Sequence, residues 1–456
     1  MRSKQRFLVG LLMCALAITS SVSAVPKGER NVHVNYKETK LKNGLRVITV
    51  EDKSAPVIAI DITYNVGSRN ERQGRTGFAH LFEHMMFKGS ENVGTGEHFY
   101  LIFNNGGNMN GTTNEDRTTY FDALPSNQLD LALFLEADRM RSLVINKVNL
   151  DNQRNAVQEE RRLGVDNVPY GESGEVMQGL LYDNFAYKHT TIGSMEDLNA
   201  ASVEDVAAFF KTYYAPNNAV LTLVGDFDTA DALNRIKKNF ESIPRQPDPP
   251  PVDMTEPEQK AERRANVDDA LARLPQIDIA FKTVPGNTPD FYALQVLSAA
   301  LQGGQSSRLY QALVKDKPMV TNIFGFADEK RGTGAFYTTA TLRQGVKPAD
   351  VEAAIYSEIE RLKKDGIADW ELQKAKNGTR RNFINGMQSS LSRALQISVW
   401  TVYYNDPNLI NTRLDKVSAV TKEDVQRVAN KYLTATNRTV VTTMPKPKGA
   451  TTAVKQ

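Results

Sequence analysis

Apolar residues that alternate with polar ones predict β-strands near the start of the chain. Positions 36–41, 46–50 and 57–64 alternate or are rich in β-branched side chains, and Asn43-Gly44 between the first two is typical of a hairpin turn. An apolar run at 219–224 predicts a further strand before Gly225. We therefore expect a sheet in the first half of the chain.

Apolar positions with a period near 3.6 predict helices between these strands. The period is strongest at 128–140, and Ser202-Val203-Glu204-Asp205 resembles a capping box at the start of another helix. This mixture of strands and helices favours the α+β fold class. The predicted helices of the first half are 76–87, 97–105, 128–140, 149–163, 202–212 and 231–240.

The end of the first half is repeated near the end of the chain. Residues 202–206, Tyr213 and the strand at 219–223 match residues 421–425, Tyr432 and the strand at 438–442. The matching positions are separated by a constant 219 residues (421 − 202 = 219). A repeat of this length indicates a duplicated domain rather than a solenoid.

A proline-rich stretch lies between the two copies. Six prolines fall within 244–257, a density that neither a helix nor a central strand can accommodate. We predict a signal peptide at 1–24, an N-terminal domain at 25–244, a semi-rigid linker at 245–265, a homologous C-terminal domain at 266–447 and a tail at 448–456.

The first 24 residues have the pattern of a secretory signal peptide. Arg2, Lys4 and Arg6 precede an apolar run, and Val22-Ser23-Ala24 fits a signal-peptidase site. We expect an exported protein, periplasmic or extracellular, without a stable membrane anchor. A retained N-terminal anchor is the alternative.

Loss of this segment changes what the mature chain can bind. The formal net charge falls from +3 to 0, because three basic and no acidic residues are removed. A neutral chain argues against a nucleic-acid partner. Cys14, the only cysteine, is removed as well, so a metal site in the mature chain must use histidine and carboxylate ligands.

The central chemical motif is His80-x-x-Glu83-His84, in an otherwise apolar segment. On a helix, His80 and His84 lie about 40° apart and Glu83 borders their face. Two neutral imidazoles can hold one Zn²⁺ with the carboxylate beside its open coordination position. The alternative is two surface histidines without a ligand. The apolar neighbours argue against it, because buried imidazoles and carboxylates are unfavourable unless paired or metal-bound.

A catalytic zinc site usually has three protein ligands, so a carboxylate is needed as the third. The predicted helix 149–163 carries Glu159 and Glu160. Adjacent helical positions lie about 100° apart, so only one of these two side chains can easily face a metal. Periodicity does not choose between them, and each taken singly also fits a solvated helix face.

The spacing of these residues resembles that of a known family. His80-x-x-Glu83-His84 followed by Asn155-Ala156-Val157-Gln158-Glu159-Glu160 resembles the insulinase/pitrilysin zinc peptidases, the inverzincins, to which mitochondrial processing peptidase is related. The resemblance implies Glu160 as the third zinc ligand. It also implies two homologous α/β-roll domains per chain, each an antiparallel-rich sheet with helices packed on one face. Four such domains enclose a chamber, in one long chain or in a dimer.

The same resemblance covers two further features, the position of Gln153 and the segment around Asn110. Many members have a glutamate that supports the ligands where this chain has Gln153, whose uncharged amide can still orient a ligand by hydrogen bonding. The threonine-rich segment 108–125 is either a plain surface hairpin or an edge strand that pairs with a bound peptide. In the second interpretation, Asn110, Gly111 and Thr112 bind the substrate.

The second half carries an incomplete part of the family pattern. Gly303-Gly304-Gln305-Ser306-Ser307-Arg308-Leu309 resembles the segment whose arginine acts with a tyrosine further on to bind and polarise the substrate. Thr321 stands at the tyrosine position here. Arg308 is therefore either a substrate-binding residue or a structural helix arginine. The incomplete pair implies a dimer in which a homologous subunit without the zinc motif supplies it, a heterodimer.

The combined prediction is a zinc-dependent endopeptidase that hydrolyses peptides or small unfolded polypeptides. One Zn²⁺ per chain is held by His80, His84 and Glu160, and Glu83 acts as the general base. Two alternatives stay open: a non-proteolytic assembly subunit, as some members of the family are, and a structural metal site.

Overall fold

The computed structural model describes residues 33–446, which lie in one compact unit. The predicted signal peptide at 1–24 and the predicted tail at 448–456 fall outside the described residues. Within 33–446, no helix is both long and apolar enough to cross a bilayer.

The first half of the chain forms a six-stranded mixed sheet with the order β1-β2-β6-β3-β5-β4. Only the β2–β6 pair is parallel; the other neighbours are antiparallel. β4 is therefore an edge strand. The strands are β1 Lys37–Lys40, β2 Arg46–Glu51, β3 Val57–Tyr64, β4 Asn108–Thr113, β5 Thr118–Pro125 and β6 Ala219–Gly225.

Helices pack on one face of this sheet around a core that includes Ile60, Ile62, Leu81, Phe82 and Leu133. Each of these side chains is at most 1% exposed. Burial of apolar surface between the helices and the sheet is the main stabilising term for such a layer. The helices of the first half are α1 Phe78–Met85, α2 Glu97–Asn104, α3 Leu129–Ser142, α4 Lys147–Arg161, α5 Gly171–Leu181, α6 Phe185–Lys188, α7 Met195–Asn199, α8 Val203–Tyr213 and α9 Thr229–Phe240.

The second half repeats this arrangement with a five-stranded sheet in the order β7-β11-β8-β10-β9. No helix or strand lies between Phe240 and Arg263, the proline-rich region of the sequence. The strands are β7 Arg263–Asp269, β8 Gln276–Lys282, β9 Val320–Ala327, β10 Ala335–Leu342 and β11 Arg438–Pro445. The helices are α10 Pro289–Gln302, α11 Arg308–Tyr310, α12 Pro348–Asp365, α13 Asp369–Gly386, α14 Ser390–Tyr404, α15 Leu409–Ser418 and α16 Lys422–Tyr432.

The predicted duplication is confirmed in detail. Ser202 caps α8 by accepting a hydrogen bond from the Asp205 amide at 3.1 Å, and Thr421 caps α16 through the Asp424 amide at 3.1 Å. The strand that follows each of these helices makes one parallel pairing within its own sheet. β6 pairs in parallel with β2, and β11 pairs in parallel with β7. The predicted α+β fold of two homologous rolls is therefore the observed one.

Each sheet also has a second face, which a helix from the other half covers. α14 packs on β3 and β6 of the first sheet through Ala394, Ile397 and Trp400. In return, α5 packs on β7, β8 and β11 of the second sheet through Met177 and Leu181. Seven of the eight β3 residues are buried for this reason, because β3 is covered on both faces.

Candidate metal centre

Helix α1 places His80 and His84 side by side. Their ring centroids are 4.8 Å apart and the ring planes are nearly perpendicular, at 85°. Phe78, Leu81, Phe82 and Met85 are buried in the core, which fixes the rotation of this eight-residue helix. The two imidazoles are thereby held on the one side of α1 that faces α4.

Helix α4 brings Glu160 against both imidazoles. Glu160 Oε1 lies 3.5 Å from His80 Nε2, and Glu160 Oε2 lies 3.2 Å from His84 Nε2. Glu159 turns away instead and accepts a hydrogen bond from Arg162 at 3.0 Å. The geometry thus separates the two neighbouring glutamates that helical periodicity could not separate.

The spacing of these three groups fits a zinc ion. Their donor atoms all lie within 4.8 Å of one another. Ligands about 2.0–2.1 Å from a tetrahedral zinc are about 3.3 Å apart, close to the two contacts of Glu160. Burial, with the nearby charge of His84, lowers the pKa of His80 to about 4, and burial also lowers the pKa of His84. Both rings are therefore neutral near pH 7, as metal ligands must be.

Glu83 lies beside this group and faces the edge strand β4. Thr113 Oγ1 donates a hydrogen bond of 2.6 Å to Glu83 Oε2. Burial raises the pKa of Glu83 to about 6; Thr113 opposes this rise, and the charge of Glu160 adds to it. A carboxylate with a pKa near neutrality is suited to moving protons.

The three predicted substrate-binding residues lie on β4, the open edge of the first sheet. Asn110 and Thr112 are exposed, whereas Gly111 is buried. A Cβ atom at Gly111 would lie 2.9 Å from Glu83 Cγ, so glycine leaves the space that the Glu83 side chain occupies. The Gly111 amide donates to Asn110 Oδ1 at 2.9 Å.

Gln153 lies on α4, next to the imidazole of His84 on α1. Its side chain is buried and hydrogen-bonds to His84, and its amide nitrogen donates to Asn152 Oδ1 at 2.6 Å. An outer partner of this kind fixes the orientation of an imidazole without adding charge.

Family models match most of the chain. The model described as insulinase (peptidase family M16) matches residues 46–172, and the model described as the peptidase M16 inactive domain matches residues 200–379. The zinc protease PqqE of Helicobacter pylori is 32% identical over 415 residues, which cover 90% of this chain and 93% of that protein. The chain belongs to the insulinase family of peptidases.

A solved structure and a more distant relative give the range of similarity. The crystal structure of a protease from Helicobacter pylori superposes with a TM-score of 0.87 at 32% identity, covering 91% of this chain and all of that one. A probable mitochondrial-processing peptidase subunit beta of Arabidopsis thaliana is 25% identical over 87% of this chain and 76% of that protein. His80, Glu83, His84 and Glu160 lie inside the insulinase match; the inactive-domain match contains none of them.

Arg308 and Thr321 are not brought to this centre by the insulinase fold. Arg308 lies in the second half, where its guanidinium donates two hydrogen bonds of 2.7 Å to Glu371 and one of 2.9 Å to the Gly366 carbonyl. Thr321 is exposed on the edge strand β9 and donates to the Thr341 carbonyl at 3.1 Å. Arg308 is thus bound within its own half of the described chain.

A second cluster of metal-capable groups occurs in the described residues, at His98, Asp122 and Glu136. All three are buried, and Arg139 lies among them with its guanidinium paired to Glu136. The same guanidinium lies over the rings of Phe87 and Tyr120, at 5.2 and 4.6 Å. A fixed cation already balances this cluster, so it is a poor site for a metal ion.

Two groups near the centre were not predicted from the sequence. Thr113, which donates to Glu83, lies one residue beyond the predicted substrate-binding triplet; alternation along β4 would have placed it on the same side as Gly111. Glu71 accepts hydrogen bonds at the start of α1. An acidic residue shortly before a helix is a weak signal for such a contact.

Proposed function

We propose that the protein is a zinc-dependent endopeptidase that hydrolyses peptides or small unfolded polypeptides. The observation that carries this proposal is the convergence of His80, His84 and Glu160 beside Glu83. One face of the group stays accessible, since about half of the Glu160 side chain is exposed. A closed structural site would lack such an opening.

His80, His84 and Glu160 would hold one Zn²⁺ per chain. When bound, zinc supplies a Lewis acid that lowers the pKa of a water molecule and polarises the scissile carbonyl. Glu83 would accept a proton from the attacking water molecule and would later deliver it to the leaving amine. Thr113 holds the Glu83 carboxylate in place through its hydroxyl, and Gln153 holds His84.

The open edge of β4 would bind the substrate as an added strand. Backbone pairing along Asn110, Gly111 and Thr112 requires an extended peptide, which supports peptides and unfolded chains as the substrates. Because Gly111 packs against the Glu83 side chain, a peptide paired with β4 at Gly111 would lie close to the Glu83 carboxylate.

The proposal extends to export and assembly. The N-terminal pattern supports export to the periplasm or the cell exterior, and no anchor helix occurs in residues 33–446. Arg308 is bound to Glu371 within its own half, which supports a dimer whose other subunit completes the site. The relative from Arabidopsis thaliana is itself named as a subunit.

The decisive experiment combines metal content with peptide cleavage. Wild type and Glu83→Gln are produced from residue 25 onward, loaded with zinc and assayed on a quenched peptide library. We expect one zinc per chain in both proteins and a loss of about 10²- to 10⁴-fold in cleavage by the variant. Cleavage by Glu83→Gln at the wild-type rate, with contaminating protease excluded, refutes the general-base role. A zinc-loaded wild type that cleaves nothing favours the assembly-subunit alternative.

The subunit arrangement is tested separately. The chain is expressed alone and together with the product of a neighbouring gene of the same family, and mass and activity are compared. We expect activity to rise on co-expression. Full activity as a lone homodimer contradicts the heterodimer.

A further inference from the structure

The buried carboxylate of Glu71 accepts hydrogen bonds from the backbone amides at the start of helix α1. Its side chain has no exposed surface. Glu71 Oε2 accepts from the Gly77 amide at 2.9 Å, and Oε1 accepts from the Ala79 amide at 2.7 Å. A negative charge at this end of a helix is favourable, because the first amide groups lack partners within the helix. The position of α1 is thereby tied to Glu71.

Glu71 is held in turn by His189, which lies 118 residues further along the chain. His189 Nε2 lies 2.9 Å from Glu71 Oε2 and 3.1 Å from the Ser68 carbonyl, and Nδ1 lies 2.9 Å from the Phe185 carbonyl. Every partner is an acceptor, so both ring nitrogens donate and the ring is an imidazolium. Burial lowers the pKa of His189, but the hydrogen bond and the charge of Glu71 outweigh burial and raise it overall.

The segment that begins at His189 also contacts the two residues that lead into α1, Thr76 and Gly77. Asp197 accepts from the Thr76 amide at 2.9 Å. Gly193 packs on Gly77 so closely that a Cβ atom at Gly193 would lie 2.4 Å from the Gly77 nitrogen. No other residue fits at that crossing.

The same segment contacts α4 next to Glu160. The Gly193 carbonyl accepts from Arg161 Nη1 at 2.8 Å, and Asn199 Oδ1 accepts from Gln158 Nε2 at 2.8 Å. Arg161 and Gln158 flank Glu160 on α4. Residues 189–199, which we name the strap, therefore contact α4 and the residues at which α1 begins, and these two helices carry the candidate ligands.

We propose that the strap sets the zinc affinity of the site and that His189 is its positioning residue. His189 holds the start of α1 through Glu71, while Gly193 and Asn199 hold the end of α4. The strap thus fixes the spacing between the imidazoles of His80 and His84 and the carboxylate of Glu160. This inference rests on the proposed zinc site but assigns a role to residues that touch no ligand.

The test measures zinc affinity in His189→Leu with His98→Leu as the matched control. Each substitution removes a largely buried imidazole beside a carboxylate in the first half, but only His189 belongs to the strap. The zinc dissociation constant is measured by competition with a chelating indicator, and the melting temperature of each metal-free protein is recorded. We expect affinity about 10- to 100-fold weaker in His189→Leu, as for other outer partners of ligands, and a change of less than about threefold in His98→Leu.

A second variant decides the matter if His189→Leu does not fold. Arg161→Lys keeps the charge but shortens the reach to the Gly193 carbonyl, so we expect zinc binding about threefold to tenfold weaker. Wild-type zinc affinity in folded His189→Leu, or in Arg161→Lys where the former is unfolded, overturns the proposal. Equal weakening in His98→Leu overturns it as well. Zinc binding decides this question even if the zinc-loaded protein cleaves no peptide, an outcome that refutes only the proposed peptidase activity.

Discussion

The two halves of the chain build the same sheet but differ in what faces its edge strand. Following the strand pairing across each sheet from the repeated strands β6 and β11 places Gly111 of β4 and Gly325 of β9 at equivalent positions. The pairing series are Leu221, Ile62, Tyr120, Gly111 in the first half and Val440, Ile279, Thr338, Gly325 in the second.

Each glycine leaves room for one side chain of the helix above it. A Cβ at Gly111 would crowd Glu83 at 2.9 Å, and a Cβ at Gly325 would crowd Gln302 at 2.4 Å. Gln302 is almost fully buried and bonds to the Tyr337 carbonyl, Ser298 and Thr338. Glu83 has a single donor, Thr113, among the described residues.

The helices above these glycines also differ between the two halves. α10 is 14 residues long, and ten of them are buried, so its inner face is used for packing on α13. α1 is eight residues long and presents two imidazoles to α4. Both rolls therefore leave the same space beside the edge-strand glycine. The residues of the helix above it decide whether that space holds a side chain used for packing or an ionisable one.

The largest effect is expected from removing a candidate ligand of the first half. Glu160→Gln should weaken zinc binding by more than about 100-fold, beyond the loss typical of outer partners, and should abolish cleavage with it. Glu159→Gln, the adjacent residue that pairs with Arg162, is the matched control and should retain zinc. Competition with a chelating indicator measures both. Equal losses in the two variants contradict the assignment of Glu160.

The next largest effect is expected on the free energy of unfolding, from a substitution at the contact between the two halves. Ile397 of α14 is completely buried against the first sheet, so Ile397→Ala should lower the free energy of unfolding by about 2–5 kcal/mol. Because each half covers the other, we expect one unfolding transition in denaturant. Trp370→Ala, at a residue 59% exposed, should change stability by less than about 0.5 kcal/mol. Two separate transitions would show that the halves are independent.

A smaller effect is expected at Thr113, the donor to Glu83. Thr113→Val removes a hydrogen bond to a charged group, typically about 1.5–3 kcal/mol, and should reduce kcat/KM about tenfold or more while zinc content is unchanged. Thr113→Ser keeps the hydroxyl and should restore most of the activity. If Thr113→Val is as active as wild type, the hydroxyl does not hold the catalytic carboxylate.

The smallest effect concerns an ion pair between the halves, Asp52 with Arg393 of α14. Hydrogen bonds from Ser54 and then from Arg393 lower the pKa of Asp52 from 3.8 to about 2. The resulting stabilisation is present above pH 3.8 and is lost as the pH falls towards about 2. Because this pair lies at the surface, with about a fifth of the Asp52 side chain exposed, Asp52→Asn should cost only about 0.2–1 kcal/mol at pH 7. Urea unfolding of both proteins at several pH values measures this difference; a difference that grows as the pH falls would contradict it.

The sequence predicted helix α1, which carries both histidines of the motif, because the signal for this helix is local. The H-x-x-E-H spacing and the apolar neighbours of His80 and His84 depend only on helical geometry. The predicted bounds, 76–87, were wider than α1 at Phe78–Met85, since the left-handed conformation of Gly77 starts the helix. Family resemblance selected Glu160, a choice that periodicity alone left open and that the packing of α4 on α1 supports.

The remaining features depend on contacts between distant parts of the chain. His189 and Glu71 are 118 residues apart, and no periodic pattern links them. The packing of α5 on the second sheet and of α14 on the first could not be predicted either. An apolar helix face shows that the helix is buried but does not indicate which sheet it packs against. Thr113 was missed because its role depends on the side of β4 that faces Glu83.

The reciprocal cover by α5 and α14 has a consequence for chain connectivity. If the backbone were cut between Phe240 and Arg263, each fragment would keep its strands but would lack the helix that covers the second face of its sheet, and would instead carry the helix that its counterpart needs. Such fragments are complementary in the manner of a split reporter protein. They should be poorly soluble apart and should reassemble when expressed together, with the fragment that carries the candidate ligands dependent on a piece of chain that contains none of them.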